Sequence, residues 1–545
     1  MNTETTTRLQ RRDDTEFAER VRLNQSKLRA ALKDDYDFII CGSGSSGSVL
    51  ARRLAENPDV QVLLLEAGGS DDVPEVRDPI RWPANYASER NWSFLGQPSP
   101  HLNGRRMPLA MGKVLGGGSS VNAMAWAWGH KNDWDYFASE AGNDAWNYQS
   151  VLKIFRRVED WHGEADADYR GSGGPVFVQL APDPNPIAPA LLHAAACAAG
   201  IPTFSGHNGR MMETEGGASL LEMRVRDRQR LSIFRSYTYP YLDRPNLTVL
   251  THALVTKVIF EEKRAVGVEV VYEDRVHRIG AGNEVVLCLG AIHTPKVLMQ
   301  SGIGDEAELR RWAIPVVEHL PGVGQNFQDH VMASCIWEYK QPLAPRNNAG
   351  ECTYFWKSDA ALDTPDLQTC QAEVPICSAE SAARFNAPAA GWTLLPGVIQ
   401  PKSRGRIRLT GPNPLDPLLI EDNLLSDPDD MKAAVTAVGL CREIGNSAPL
   451  RPYTKREVMP GNLKGVDLEN FIREAATTYS HETCTAKMGR DSMSVVDGNL
   501  KVYGIERLRI ADGSIMPRVV AGNTMAPCVI IGERAAEMLK AEHRL

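Results

Sequence analysis

A chain of 545 residues is too long for one simple core, so two domains, or one domain with large insertions, are expected. Its 43% hydrophobic and 23% charged residues are those of an ordinary globular protein, and a net charge of -8 without a basic block argues against nucleic-acid binding. Ten scattered cysteines without one C-x-x-C pair argue against a disulfide framework or a structural zinc site and favour a reducing, cytoplasmic setting.

Residues 1–33 are polar and charged and lack the apolar stretch of a signal peptide. Phe17, Val21, Leu28 and Leu32 fall on one face at helical spacing, with Thr15 as a cap, which predicts a helical arm laid on the protein's own surface. The run "YDFIICGSG" predicts a buried strand and a glycine turn, followed by a helix to about Glu56. "VQVLLLEAG" predicts a second strand ending at Glu66, which completes a β-α-β unit. Farther on, "NLTVLTHALVTKVIFEEKRAVGVEVVYEDRVHRI" alternates like antiparallel strands with a turn at residues 262–264. "NEVVLCLGAIHTPKVLMQSGIG" predicts another buried strand running into a helix. Residues 332–472 change texture, with aromatics, prolines and alternating runs such as "CIWEYK" and "GRIRLTG". The C-terminal region returns to strand, loop and a last helix, and no apolar run is long enough to predict a membrane span. The expected fold is α/β. A Rossmann-like nucleotide-binding domain takes residues 34–175, 222–330 and 478–545, and a mixed or antiparallel-sheet substrate-binding domain of residues 176–221 and 331–477 is inserted in it.

Gly42, Gly44 and Gly47 stand at G-x-G-x-x-G spacing between the first strand and its helix. The first allows a tight turn, the second lets the backbone approach a pyrophosphate, and the third lets helix and strand pack closely. The helix N-terminus adds free N–H groups and a partial positive charge. Glu66 ends the second strand where a carboxylate accepts from ribose hydroxyls. Together these features predict dinucleotide binding, but spacing alone leaves both NAD and FAD open.

Four further runs narrow the choice. "GKVLGGGSSVNAMAWAWGHKNDWDYF" carries a second glycine-rich loop, and "GAIHTPKVLMQSGIG", "RLRIADGSIMP" and "GNTMAPCVIIGERAAEML" follow in order. These runs resemble the signatures of the glucose–methanol–choline (GMC) oxidoreductases over residues 36–539. The resemblance implies FAD, with Gly42, Gly44, Ser45, Ser46 and Gly47 around the diphosphate and Glu66 at the adenosine ribose. It also implies Val255 beside the adenine, Gly117 and Asn122 beside the flavin, and Asp512 near the ribityl–diphosphate region. Some members carry a histidine that bonds covalently to the flavin; the matching residue here is Val121, which implies non-covalent FAD. Where many members have arginine, this chain has Trp128.

Alcohol oxidation needs a base for the hydroxyl proton while a hydride leaves the carbon. A histidine suits, with an ordinary pKa of about 6.5. In "TTYSHETCTAKMG" the resemblance assigns that base to His481, although the family's H-P-V-G-T reads H-E-T-C-T here, leaving Glu482 and Cys484 without a role. The partner position is Asn523 in "AGNTMAP", whose amide can donate to the substrate oxygen. The sequence is not H-E-x-x-H or G-x-S-x-G, so zinc-protease and serine-hydrolase readings fail, and no metal is expected. The expected substrate is a small alcohol, primary and of aromatic type, with Trp337, Tyr339, Tyr354, Phe355, Trp356 and Trp392 as candidate pocket residues. Oxygen or a quinone is the expected electron acceptor. The alternative reading is a light-driven fatty-acid decarboxylase on the same fold.

Overall fold

The computed structural model describes residues 3–545, with side chains from Asp14 onward. Its first element is a long helix, α1 (Thr3–Ala30). Thr15 lies inside this helix and does not cap it, because no glycine or proline interrupts residues 3–30. Val21 is buried, Phe17 meets Tyr239 edge-on at 5.6 Å, and Leu32 packs on the core. The same face carries buried Gln25, a polar residue that hydrophobic periodicity passes over. Its amide donates to the carbonyls of Leu242 and Leu247 and accepts from the N–H of Val249.

The nucleotide-binding unit follows. Strand β1 (Asp35–Cys41) buries Phe38, Ile39 and Ile40 completely, as a strand covered on both faces must. Helix α2 (Ser45–Ala55) and β2 (Val62–Leu65) come next, then β3 (Leu247–Leu250). Strands β3, β2 and β1 pair in parallel, in that order. An antiparallel meander of β4 (Leu254–Glu261), β5 (Arg264–Tyr272) and β6 (Arg275–Leu287) extends the sheet. Two separate strands were expected around Gly280 and Gly282; the structure has one. Its first half pairs antiparallel with β5, and from Gly280 onward it pairs parallel with β1. Helix α3 (Gly290–Gln300) leaves its end.

An antiparallel sheet forms the second layer of structure. Its central order is Thr454–Met459, Cys335–Tyr339, Gly391–Val398, Leu367–Ala372, Cys352–Trp356 and Gly217–Leu220. Helix α4 (Pro428–Gly445) lies on one face. Trp337 and Trp392 stack there at 4.4 Å, and a Cβ on Gly445 would sit 2.2 Å from Trp337. Tyr354 on the same face shares a hydrogen bond with Cys441 of α4. The chain then returns to the first sheet with β7 (Leu508–Ile510), parallel to β6, and ends in α5 (Met525–His543). Among the described residues no helix is long and apolar enough to cross a membrane.

Candidate active site

One cavity reaches from the carboxyl ends of β1 and β2 to the antiparallel sheet. Gly42, Gly44, Ser45, Ser46, Glu66, Gly117, Asn122, Val255, Asp512, His481 and Asn523 all line it. Gly47 does not. A Cβ there would lie 1.9 Å from the carbonyl oxygen of Gly42, so this glycine serves the close approach of α2 to the turn and not the cradle itself.

Two loops far apart in sequence meet at the cavity floor. Gly42 has φ +99°, and a Cβ on it would lie 2.4 Å from the Cys288 carbonyl oxygen. Gly117, at φ +51°, would put a Cβ 2.8 Å from the Gly44 Cα. A Cβ on Gly44 would meet nothing within 4 Å, so its missing side chain leaves open space above the turn. No side chain caps α2, which leaves its first N–H groups for a ligand. This cradle fits a diphosphate. Ser46 uses its hydroxyl elsewhere, donating to the Cys528 carbonyl of α5 at 2.7 Å.

The carboxylates of the cradle are braced by the protein. Glu66 accepts from the Ser43 N–H at 3.1 Å, the Ser43 hydroxyl at 2.6 Å and the Gly68 N–H at 2.8 Å, while burial pushes its pKa up. Asp512 accepts from the Gly290 N–H at 2.9 Å, the Thr294 hydroxyl at 2.6 Å and the Ser514 N–H at 2.8 Å. It thereby ties the end of β7 to the start of α3. The Asn122 oxygen accepts from Arg224 at 3.2 Å, Arg230 at 3.0 Å and the Met124 N–H at 3.0 Å. Sequence reasoning missed both arginines. Burial lowers each to about 9. Val121 lines the same wall.

At the other end, His481 and Asn523 converge although 42 positions separate them. The Asn523 Nδ2 stands 3.2 Å from His481 Nε2, and Gln368 Nε2 donates to the Asn523 oxygen at 3.1 Å. An amide nitrogen can only donate, so His481 Nε2 is the acceptor and its proton sits on Nδ1. That nitrogen lies 2.9 Å from Nδ1 of His330. Tyr479 stacks on the other side of His481, with ring centres 5.6 Å apart. Burial pushes His481 down to about 3, so the ring is neutral. The Asp329 carboxylate accepts from the backbone N–H of both His330 and His481 and carries a pKa raised to about 7 by burial.

His330 and Gln368 had no sequence signal. His330 stands 151 positions from its partner, and no periodicity links them. Glu482 is buried on the cavity wall, and its Oε1 has no hydrogen-bond partner. Burial first, and the neighbouring Asp329 second, push its pKa well up, which favours the uncharged acid. Trp128 lies away from the cavity. It stacks on Phe155 at 4.7 Å, and the Arg170 guanidinium sits 5.3 Å from its ring, held by Glu159 and Glu222.

None of the six aromatics expected in the pocket lines it. Trp337, Trp392 and Tyr354 turn to the α4 face, and Phe355 packs with Met211, Met212 and Ile399. The aromatic residues that do line the cavity include Trp82, Tyr86, Trp92 and Tyr479. Trp82 and Tyr86 come from a short 3-10 segment beginning at Pro79 and from its end. The Trp82 indole donates to the Asn348 carbonyl at 2.9 Å, so this segment roofs the cavity from the first domain to the second.

Comparison with known proteins agrees with this geometry. The family described as GMC oxidoreductase matches residues 36–332 with its N-terminal part and 401–532 with its C-terminal part. An alcohol dehydrogenase [acceptor] of Pseudomonas putida is 36% identical over 534 residues, covering 92% of this chain and 95% of that protein. An oxygen-dependent choline dehydrogenase of Stenotrophomonas maltophilia is 37% identical over 545 residues, covering 93% and 95%. The crystal structure of pyridoxine 4-oxidase from Mesorbium loti superposes with a TM-score of 0.88 at 30% identity, over 94% of this chain and 100% of that one. With both halves matched and the parallel sheet, antiparallel sheet and shared cavity in place, this chain belongs to the GMC oxidoreductase family.

Proposed function

We propose that this protein binds FAD without a covalent bond and oxidises a small primary alcohol to the aldehyde. Proteins of the GMC family bind FAD, and the open cradle at Gly44 fits its diphosphate. The observation that carries the reading is the pair His481 and Asn523, a neutral imidazole acceptor and an amide donor 3.2 Å apart on one cavity wall.

Bound FAD would supply the hydride acceptor; the chain's own residues handle the proton. An alcohol oxygen that displaces the Asn523 amide from His481 Nε2 gives its proton to the imidazole while accepting from Asn523 Nδ2. The amide steadies the negative charge that grows on that oxygen as the proton leaves. Tyr479 fixes the ring plane of His481 from one side, and the segment with Trp82 and Tyr86 reaches across the cavity to Asn348. The names of the relatives include an acceptor-linked and an oxygen-dependent enzyme, which supports oxygen or a quinone as the electron acceptor. A reducing compartment, the cytoplasm, belongs to the same reading, supported by ten unpaired cysteines.

The test is anaerobic mixing with a panel of alcohols, followed by oxygen. Bleaching of the flavin by at least one alcohol is the expected result; no bleaching by any would overturn the proposal. Acid precipitation should leave the yellow colour in the supernatant, because Val121 offers no nucleophile at the wall where attachment occurs in some relatives. Flavin that stays with the pellet would contradict this.

Glu482→Gln keeps the shape of the side chain and the uncharged form that burial favours. Stopped-flow reduction and its pH profile should therefore stay within about threefold of the wild type. A larger loss would mean that the carboxyl works in its ionised form.

A further inference from the structure

Outside the proposed catalytic pair, the ring of His481 meets a second buried histidine. His330 is fully buried, its ring stands at 88° to that of His481 with centres 5.0 Å apart, and the two Nδ1 atoms are 2.9 Å apart. Two imidazole nitrogens at that distance must share one proton. Asn523 settles which way round, since its Nδ2 occupies His481 Nε2 as a donor. His481 therefore donates from Nδ1, and His330 accepts at Nδ1.

We propose that His330 is a positioning residue for the oxidation. It holds His481 in the Nδ1-protonated tautomer, so that the Nε2 lone pair is available to the alcohol once the alcohol displaces the Asn523 amide, and it takes up part of the charge when that nitrogen gains the alcohol's proton. This inference rests on the reading of His481 as the base.

The chemistry balances simply. The alcohol O–H bond breaks and a proton joins His481 Nε2, giving an imidazolium whose Nδ1–H donates to a neutral imidazole. A hydrogen bond from a charged donor is roughly twice as strong as one between neutral groups, so the contact tightens as charge develops. His330 does not pass the proton further along the protein, because the groups beyond it are the backbone of Val520 and Ile399, which take up no proton. The groups facing the pair fit this role. Asp329 accepts the backbone N–H of each histidine, Tyr479 stacks on His481 and meets His330 edge-on at 6.5 Å, and burial favours the uncharged form of Glu482. None of them offers a second acceptor to His481 Nδ1.

The test uses the FAD-loaded full chain in three forms: wild type, His330→Phe and His330→Gln. His330→Phe keeps a ring but removes the acceptor, and should slow anaerobic flavin reduction about 10–100-fold with little change in alcohol affinity. The acid limb of its pH profile should move to lower pH, because losing the acceptor weakens the base. His330→Gln restores an acceptor oxygen and should recover most of the rate. A merely structural role would move flavin content or melting temperature and leave the pH profile in place. Should the phenylalanine variant fail to hold FAD, nitrogen NMR of the ¹⁵N-histidine wild-type enzyme decides. His481, assigned by its loss in His481→Ala, should be protonated on Nδ1. Protonation on Nε2, or reduction by His330→Phe at the wild-type rate, overturns the proposal. Normal reduction by His481→Ala would instead defeat the underlying reading.

Discussion

His481→Ala should slow flavin reduction by the best alcohol roughly 10²–10⁴-fold, the usual worth of a positioned base. FAD should stay bound in full stoichiometry, because His481 sits at the antiparallel-sheet end of the cavity, away from the glycine loops. Asn523→Ala should cost less. It removes one neutral donor, and Gln368 loses an acceptor without any charge being left unpaired. The ordering matters as much as the size. If Asn523→Ala proved the more damaging, the amide would carry the reaction and the imidazole would only fill space. Stopped-flow absorbance of the three enzymes over a range of alcohol concentrations separates the cases. Near-normal reduction by His481→Ala would end the mechanism proposed here.

The second large effect is expected at the glycine turn, where two neighbouring substitutions should fail in different ways. Gly47→Ala places a Cβ 1.9 Å from the Gly42 carbonyl oxygen, a contact that backbone cannot relieve without moving α2. Alanine gains about 1 kcal/mol of helix propensity over glycine, but overpacking of this kind costs about 1–3 kcal/mol or more. The protein should lose stability, and FAD with it. Gly44→Ala meets nothing within 4 Å, so the fold should survive with its melting temperature unchanged when FAD is absent. The new methyl group stands in the diphosphate's space and should weaken FAD by roughly 10–100-fold, corresponding to about 1–3 kcal/mol. Melting curves with and without FAD distinguish the two outcomes. A Gly44→Ala protein that binds FAD normally would show that the open space above the turn is not where the diphosphate lies.

The parts of the structure legible in the sequence are those encoded locally. The β1–turn–α2 unit follows from a continuous apolar run and three glycines within a few residues of one another. His481 and Asn523 were found through their place in long motif runs, and their convergence could not have come from spacing. The six aromatics misled because alternation tells which residues share a face of a sheet but not which face a helix will cover. Helix α4 claimed the face of Trp337, Trp392 and Tyr354. Thr15 looked like a cap because the apolar stripe begins beside it, yet the helix starts at Thr3. Gly280 and Gly282 looked like a break, yet β6 only changes neighbour there. His330, Gln368, Arg224 and Arg230 act through contacts made across more than 100 residues of chain, which leave no local pattern.

The hydroxyl of Ser46 donates to a carbonyl 482 positions later, and a Cβ on Gly532 of α5 would lie 2.8 Å from the Ser46 carbonyl oxygen. The beginning of the cradle is thus buttressed by α5. During synthesis the glycine turn emerges early, and the helix that backs it follows 482 positions later. Until then the turn has its own strand and helix to shape it and no wall behind. Cofactor capture therefore waits until α5 has been made and has docked behind the turn. A truncation that removes only α5 should cost the protein its colour, although every residue of the G-x-G-x-x-G turn remains.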